Sequence, residues 1–297
     1  MLKEKKLYTL KELIGKKNLI ITAGIGDALS ARIANDVKGI DALLSSGFAI
    51  SAQLLGLPDI EMYTRTENVE TVRRMTYVSN KPLIADVDTG YGNAINVIKT
   101  VHEFEQAGAE AMIFEDQISP KRCPICVDET NNILPVEEAA GKIRAAAENK
   151  LNPDTLIIAR TDATNLDESI RRAKIYREAG ADLVQPISKA FRNKEEVKQF
   201  VDAVDCDVSL VIVGWLEELS MEEIQWIGPK IAHFALVSVT ASHKAVEDAF
   251  HEIGSKGTTK EMKTPRTPHG KLVKKLGMER VNTLEDKYLP NEEVLIK

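Results

Sequence analysis

Cysteine is scarce here, with only Cys123, Cys126 and Cys206 in 297 residues, and an odd count of this size does not build a disulfide framework. Aromatic residues make up 5% against 43% apolar overall, so the core must be aliphatic. Basic residues are not in excess: 39 Lys and Arg face 45 Asp and Glu, a formal net charge of -6. That balance argues against nucleic acid as a general partner, because nothing neutralises a phosphate backbone. A local basic stretch, KTPRTPHGKLVKK at 263–275, reads as a solvated tail with a basic patch as the alternative. No apolar run approaches the ~20 residues that a membrane-spanning helix needs. The opening segment, MLKEKKLYTLKELIGKK, is charged and lacks the apolar stretch of a secretory signal, so the cytoplasm is the expected compartment.

What the chain has instead is an alternation. Short apolar runs recur: LIITAG, ALLSSG, LIADVD, AMIFED, TLIIART, LVQPIS, SLVIVG and ALVSVT. Each is too short and too continuously apolar for a half-exposed strand, which suits parallel strands buried on both faces. Between them lie helical patterns such as DALSARIANDVK and NAINVIKTVHEFEQAG, with cap candidates at Asp27, Asn93 and Ser220 and glycine stops at Gly108 and Gly180. Eight strands alternating with helices predict an α/β fold, a (β/α)8 TIM barrel over residues 1–257. A doubly wound open sheet is the alternative, since a sequence does not show closure. From Thr258 the alternation stops, and 258–297 is expected to be a C-terminal helical tail, one that can pack on a neighbouring subunit.

A barrel places its chemistry at the carboxyl ends of its strands. There the sequence puts Ser45, Ser46 and Gly47, then Asp86 and Asp88, Glu115 and Asp116, Arg160 and Asp162. Asp86 and Asp88 share a face by the period of two, and Glu115 on the next strand can join them. Carboxylates with no histidine beside them favour a hard cation held by oxygen, magnesium first and manganese as its substitute. The plain alternative is that these acids form salt bridges or cap helices. SSGFA offers small residues and exposed amides as an anion cradle, although serine and glycine also fill ordinary turns. Arg160 can grip a substrate carboxylate through two parallel hydrogen bonds, or pair structurally with Asp86 or Asp162. GIGD and TGYGN lack the spacing of a dinucleotide fingerprint, and TGYGN is expected to be a flexible turn.

The stretch EDQISPKRCPIC, 115–126, holds one CxxC. A zinc site would need a second ligand pair, and a thioredoxin-type redox pair would follow the first strand rather than the fourth. A loop merely containing cysteines is a third reading. The fourth is catalytic: Lys121 and Arg122 lower the pKa of the Cys123 thiol and make it a proton donor beside the carboxylates.

Together, DALSARIA, SSGFAISAQLLGLPD, DVDTGYGNAINV, FEDQISPKRC, KIRAAAE and IIARTDA resemble the isocitrate lyase and phosphoenolpyruvate mutase superfamily, in family order over roughly residues 8–190. The resemblance implies a homo-oligomeric (β/α)8 barrel, a dimer or tetramer whose terminal helix is exchanged between subunits. It implies magnesium near Asp86, Asp88 and Glu115, with Asp59 close by. It further implies that Ser46, Gly47, Phe48, Asp86, Arg160 and Ser188 bind a small-molecule substrate, and that the segment from Pro120 closes over the site.

The loop separates two branches of that superfamily. Lys121, Arg122 and Cys123 resemble the methylisocitrate lyase pattern, in which the cysteine is the general acid, but Pro124 and Ile125 replace its glycine and histidine. Ile187 stands where lyases carry a glutamate and Val213 where they carry an asparagine. Ser188 with Lys189, and EDKYLP at 285–290, are similar to mutases. The expected activity is a magnesium-dependent carbon–carbon lyase. It would cleave a methylisocitrate-like 2-hydroxy di- or tricarboxylic acid to an α-keto acid and a second carboxylic acid. Phosphoenolpyruvate/phosphonopyruvate mutase or phosphonopyruvate hydrolase activity is the alternative, and a non-catalytic binding protein the third reading.

Overall fold

The computed structural model describes residues 8–124 and 132–289. Eight strands close into one parallel barrel in sequence order: β1 Ile20–Ile25, β2 Ala42–Ser45, β3 Leu83–Asp86, β4 Ala111–Glu115, β5 Leu156–Thr161, β6 Leu183–Pro186, β7 Asp207–Val211 and β8 Ile231–Phe234. Closure, with β1 paired to both β2 and β8, excludes the open sheet.

Alternation of side chains explains why the strands are apolar on both faces. Ala42, Leu44, Ile84, Ala111, Ile113, Leu156, Ile158, Leu183 and Ile231 pack together inside the barrel. Their neighbours Leu43, Leu83, Ala85, Met112, Phe114 and Ile157 pack outward among helix residues such as Val72, Val97 and Phe104. The helices start where capping residues were expected. Asp27 accepts from the Ser30 amide, Asn93 from Ile95 and Asn96, and Ser220 from Glu223. Gly108 and Gly180 follow helix ends in the left-handed region, at φ 93° and 107°.

One expected strand is not a strand. ALVSVT, 235–240, does not form β8; Ile231–Phe234 does, and Val237 begins the helix Val237–Lys256. The register pairs Ile20 with Ile231 and Ala23 with Phe234, so the barrel closes four residues earlier than the apolar run suggested. His233, a polar residue inside the true strand, hid it, while the β-branched residues after Leu236 imitated one. Their strand preference is weak enough for tertiary position to override it. Ser238, already helical, donates to the Gly24 carbonyl at 2.5 Å.

Backbone contacts divide the chain into two compact units after Thr240, a point inside that last helix. The first holds the barrel. The second carries the remaining turns of that helix with two further helices, His269–Lys275 and Met278–Tyr288, a helical C-terminal extension. Among the described residues no helix is long and apolar enough to cross a membrane.

Candidate active site

The inward parity of the strands continues upward into the site. Above Leu44, Ile84, Ile113 and Ile158 the next inward positions are Ser46, Asp86, Glu115 and Arg160. Register brings the last two side by side, with Glu115 paired to Arg160 across β4 and β5. Asp86, Asp88 and Glu115 each offer an oxygen within 4.8 Å of the others, a group able to hold a metal ion.

An ammonium sits among these acids. Lys121 Nζ lies 2.7 Å from Asp88 Oδ1, 3.1 Å from Glu115 Oε1 and 3.2 Å from Asp59 Oδ2, with its side chain 1% exposed. Burial depresses the ammonium, but Asp59, Asp88 and Glu115 more than offset it and hold the pKa well above the usual lysine value. Burial pushes Asp86 and Asp88 up to about 6, with Lys121 opposing, and raises Asp59 as well. Glu115 goes the other way: burial raises it, yet Arg160 and then Lys121 leave it below the ordinary carboxylate range.

The donor set fits a hard divalent cation. Asp59, Asp88, Glu115 and Asp162, all buried, and the half-buried Asp86 are five carboxyl groups against two cations, Lys121 and Arg160. With all five ionised, five less two leaves a net excess of three negative charges in the cluster, and Asp59 Oδ1 accepts no hydrogen bond. Buried carboxylates in such excess call for a metal or for protonation.

Asp88 stands at φ 50°, in the left-handed region, as do Gly90 and Tyr91 at 88° and 59°. Gly90 and Tyr91 belong to TGYGN, which forms a hydrogen-bonded turn directly after Asp88. Tyr91 donates its hydroxyl to Asp88 Oδ2 at 2.9 Å, and Tyr63 donates to Oδ1 at 3.2 Å. Thr89 Oγ1 donates to Glu61, and Lys142 Nζ to the Thr89 carbonyl at 2.9 Å. Burial first, then Asp88, raises both tyrosines well above their usual pKa, so both stay protonated donors. Such off-region backbone persists only where surrounding bonds fix it.

The Arg160 fork closes on Asp162, with Nε 2.7 Å from Oδ1 and Nη2 3.1 Å from Oδ2, while Nη1 reaches Glu115 Oε1 at 2.7 Å. Burial lifts Asp162 to about 7 against the pull of Arg160. Arg160 remains 12% exposed, at the wall of a cleft that also contacts Ser46, Phe48, Asp59, Asp86, Cys123 and Ser188. Gly47 is not among those lining residues. Its N–H donates to Asp86 Oδ2 at 3.1 Å, and a Cβ there would meet that oxygen at 2.8 Å and Tyr63 Oη at 2.9 Å. Ser46 caps the short helix Gly47–Ile50 by accepting from the Ala49 amide. Cys123 is buried, its amide donating to the Asp59 carbonyl at 3.1 Å. Arg122 is exposed and lies outside the cleft, its amide bonded to Gln117. Ile125 and Cys126 lie outside the described residues.

Several site residues carried no local signal in the sequence. Tyr63 precedes a helix and Tyr91 sits in a turn, so only the fold shows that both serve Asp88. Gln117 Nε2 reaches Glu115 Oε2 at 3.0 Å and also bonds Asp162. Gln185, at the middle of β6, opens onto the cleft.

A closed parallel barrel with carboxylates, a lysine and an arginine converging at the carboxyl ends of its strands is the site architecture of a barrel enzyme. The chain belongs to the phosphoenolpyruvate phosphomutase family, whose sequence pattern matches residues 10–254, within the PEP mutase/isocitrate lyase superfamily of lyases and mutases. It is 32% identical over 284 residues to 2,3-dimethylmalate lyase of Eubacterium barkeri, covering 94% of this chain and 96% of that protein. Phosphoenolpyruvate phosphomutase from Streptomyces platensis superposes with a TM-score of 0.89 at 31% identity, covering 95% of this chain and 98% of that one. A phosphonopyruvate hydrolase crystallised with oxalate and magnesium superposes with a TM-score of 0.85 at 29% identity, again over 95% and 98%.

Proposed function

We propose that the protein is a magnesium-dependent carbon–carbon lyase that cleaves a 2-hydroxy di- or tricarboxylic acid to an α-keto acid and a second carboxylic acid. One observation carries this reading: the buried Cys123 lines the same cleft as Asp86 and Arg160, so a proton donor and an anion-binding group face one substrate volume. Asp86, Asp88 and Glu115, with Asp59 beside them, would hold magnesium, and manganese in its place. A metal held there would supply Lewis-acid polarisation to the substrate's oxygens.

The remaining work falls to side chains. Arg160, held flat by Asp162 and Glu115, presents its outer N–H groups to the substrate carboxylate. Ser46 and Phe48 shape the anion end of the cleft, Ser188 offers the substrate a hydroxyl from the β6 side, and Gly47 orients Asp86. A general base, to which no residue is assigned, takes up the 2-hydroxyl proton. The carbon–carbon bond breaks as the 2-carbon becomes the keto carbon, and its electron pair leaves with the departing carbon. The Cys123 thiol gives its proton to that carbon and is left as thiolate. Lys121 balances the acid cluster through the step, and Arg122 adds positive charge at the rim.

The resemblance in fold to a phosphoenolpyruvate phosphomutase supports a second reading, a phosphonopyruvate mutase or hydrolase, which needs the carboxylates and Arg160 but no thiol acid. An assay with magnesium across dimethylmalate, methylisocitrate, isocitrate and phosphonopyruvate separates the two. The lyase reading expects pyruvate or glyoxylate from at least one hydroxy acid. Turnover of phosphonopyruvate alone would move the assignment to the second reading. Tight binding of oxalate with no turnover would make the protein a binding member of the family.

A further inference from the structure

Beneath one side of the cleft runs a file of buried polar side chains with no part in the acid cluster. Thr22, His233, Ser209 and Gln185 come from β1, β8, β7 and β6, four successive strands, and each occupies an inward position. Thr22 Oγ1 lies 2.7 Å from His233 Nδ1, His233 Nε2 lies 2.7 Å from Ser209 Oγ, and Ser209 Oγ lies 2.8 Å from Gln185 Oε1. None is more than 1% exposed.

The file has a direction. Burial pulls His233 down to about 3, so its ring is neutral and carries one proton. If that proton is on Nε2, it is donated to Ser209 Oγ, Ser209 donates to Gln185 Oε1, and Thr22 donates to Nδ1. Every member then makes a short bond. In the opposite polarity Thr22 must turn its proton to the Ala232 carbonyl at 3.5 Å, a poor distance. The first arrangement pins the Gln185 carbonyl downward and leaves its NH2 group, two donors, at the cleft wall.

Apart from Ser188, the rest of that wall is apolar. From β6 to β8 the cleft is lined by Ile187, Val211, Val213, Ala235 and Leu236, and among the described residues no charged side chain of β6, β7 or β8 lines it. Of the charged groups lining the cleft, Asp59 and Asp86 stand across it, while Arg160, the cross-strand neighbour of Gln185, is already engaged by Asp162 and Glu115. A fragment bearing two carboxylates would bury a second charge here without a partner, which is strongly unfavourable.

We propose that Gln185 is the specificity-determining residue for the half of the substrate that departs, donating N–H to one carboxylate on an otherwise alkyl fragment. This rests on the lyase reading above, and it narrows the product acid to a small branched or linear monocarboxylate. Ser209 and His233 are positioning residues that keep the amide from turning over.

Calorimetric titration tests this on the full chain, with isobutyrate and succinate as probes, alone and after saturation with magnesium and oxalate. Wild type is expected to bind isobutyrate about tenfold or more tightly than succinate. Gln185→Met, which keeps the bulk and removes both donors, should weaken isobutyrate by about tenfold to a hundredfold, as a lost charge-assisted hydrogen bond does. Gln185→Glu keeps the shape and repels the probe, so it should abolish binding. Oxalate affinity should stay within about twofold in both variants. Ser209→Ala, which leaves the amide in place and frees it to flip, should weaken isobutyrate several-fold, a loss that a purely structural glutamine would not show. Tighter binding of succinate, an unchanged isobutyrate affinity in Gln185→Met, or no wild-type binding of isobutyrate under either condition would each overturn the inference. Failure of oxalate to bind with magnesium would instead overturn the reading of the metal site, while isobutyrate alone would still report on Gln185.

Discussion

Lys121 Nζ rests 2.7 Å from Asp88 Oδ1 with both side chains essentially sealed from solvent. The pair places a cation from the loop after β4 inside a carboxylate cluster built by β3 and β4. Desolvation of two charges is costly, and removing one partner of such a pair leaves the other uncompensated. Lys121→Met should therefore destabilise the metal-free protein by about 3–5 kcal/mol. Magnesium should recover part of that loss, because it would meet the same excess of negative charge. Thermal unfolding with magnesium and with chelator measures both effects.

Gly47 is where a single methyl group should be felt. Its added Cβ would fall 2.8 Å from Asp86 Oδ2 and 2.9 Å from Tyr63 Oη, closer than real contacts allow. Gly47→Ala is expected to displace Asp86 and cost about 1–3 kcal/mol in stability, as overpacking does. Magnesium affinity should fall by about tenfold to a hundredfold, the usual penalty for disturbing groups that orient metal ligands. Manganese titration followed by electron paramagnetic resonance reads the affinity directly.

His233 predicts an acid dependence unrelated to the metal. Its folded pKa of about 3 lies below the ordinary histidine value of about 6.5. Below pH ~6.5 the unfolded chain takes up a proton that the native one refuses. The stabilising contribution is thus complete above pH ~6.5 and is lost as pH falls toward 3. His233→Gln should remove this dependence. Between pH 4 and 6 its stability curve should be shallower than that of wild type by one proton, about 1.4 kcal/mol per pH unit. Urea unfolding at a series of pH values gives the two slopes.

Much of this site was legible before any coordinates because a strand repeats every two residues. That rule aligned Ser46, Asp86, Glu115 and Arg160 above the apolar layer, whereas Asp88, which it put on the same face as Asp86, lies past the end of β3 at φ 50° and joins the cluster through a left-handed turn. The same rule failed at β8, where His233 broke the apolar run and the β-branched residues of the following helix supplied a false one. Loop and long-range features were beyond it. Lys121 finds Asp59 across 62 positions of sequence, and nothing local to either residue says so. Gly47 suggested an anion cradle from its neighbours, yet its amide faces Asp86, a matter of approach between two strands rather than of motif. The file from Thr22 to Gln185 is spread over four strands, each contributing one ordinary polar residue. Only barrel closure turns them into neighbours.

In the proposed reaction a carbon–carbon bond breaks at the Asp86–Asp88–Glu115 site and Cys123 protonates the departing carbon. The most direct measurement is the rate of α-keto acid release from the best 2-hydroxy acid substrate, by wild type and by Cys123→Ser, with magnesium and with chelator. Wild type should release keto acid only with magnesium, and Cys123→Ser should lose about 10²- to 10⁴-fold in kcat while binding magnesium as well as wild type does. Near-normal turnover by Cys123→Ser, or release that persists in chelator, would contradict it.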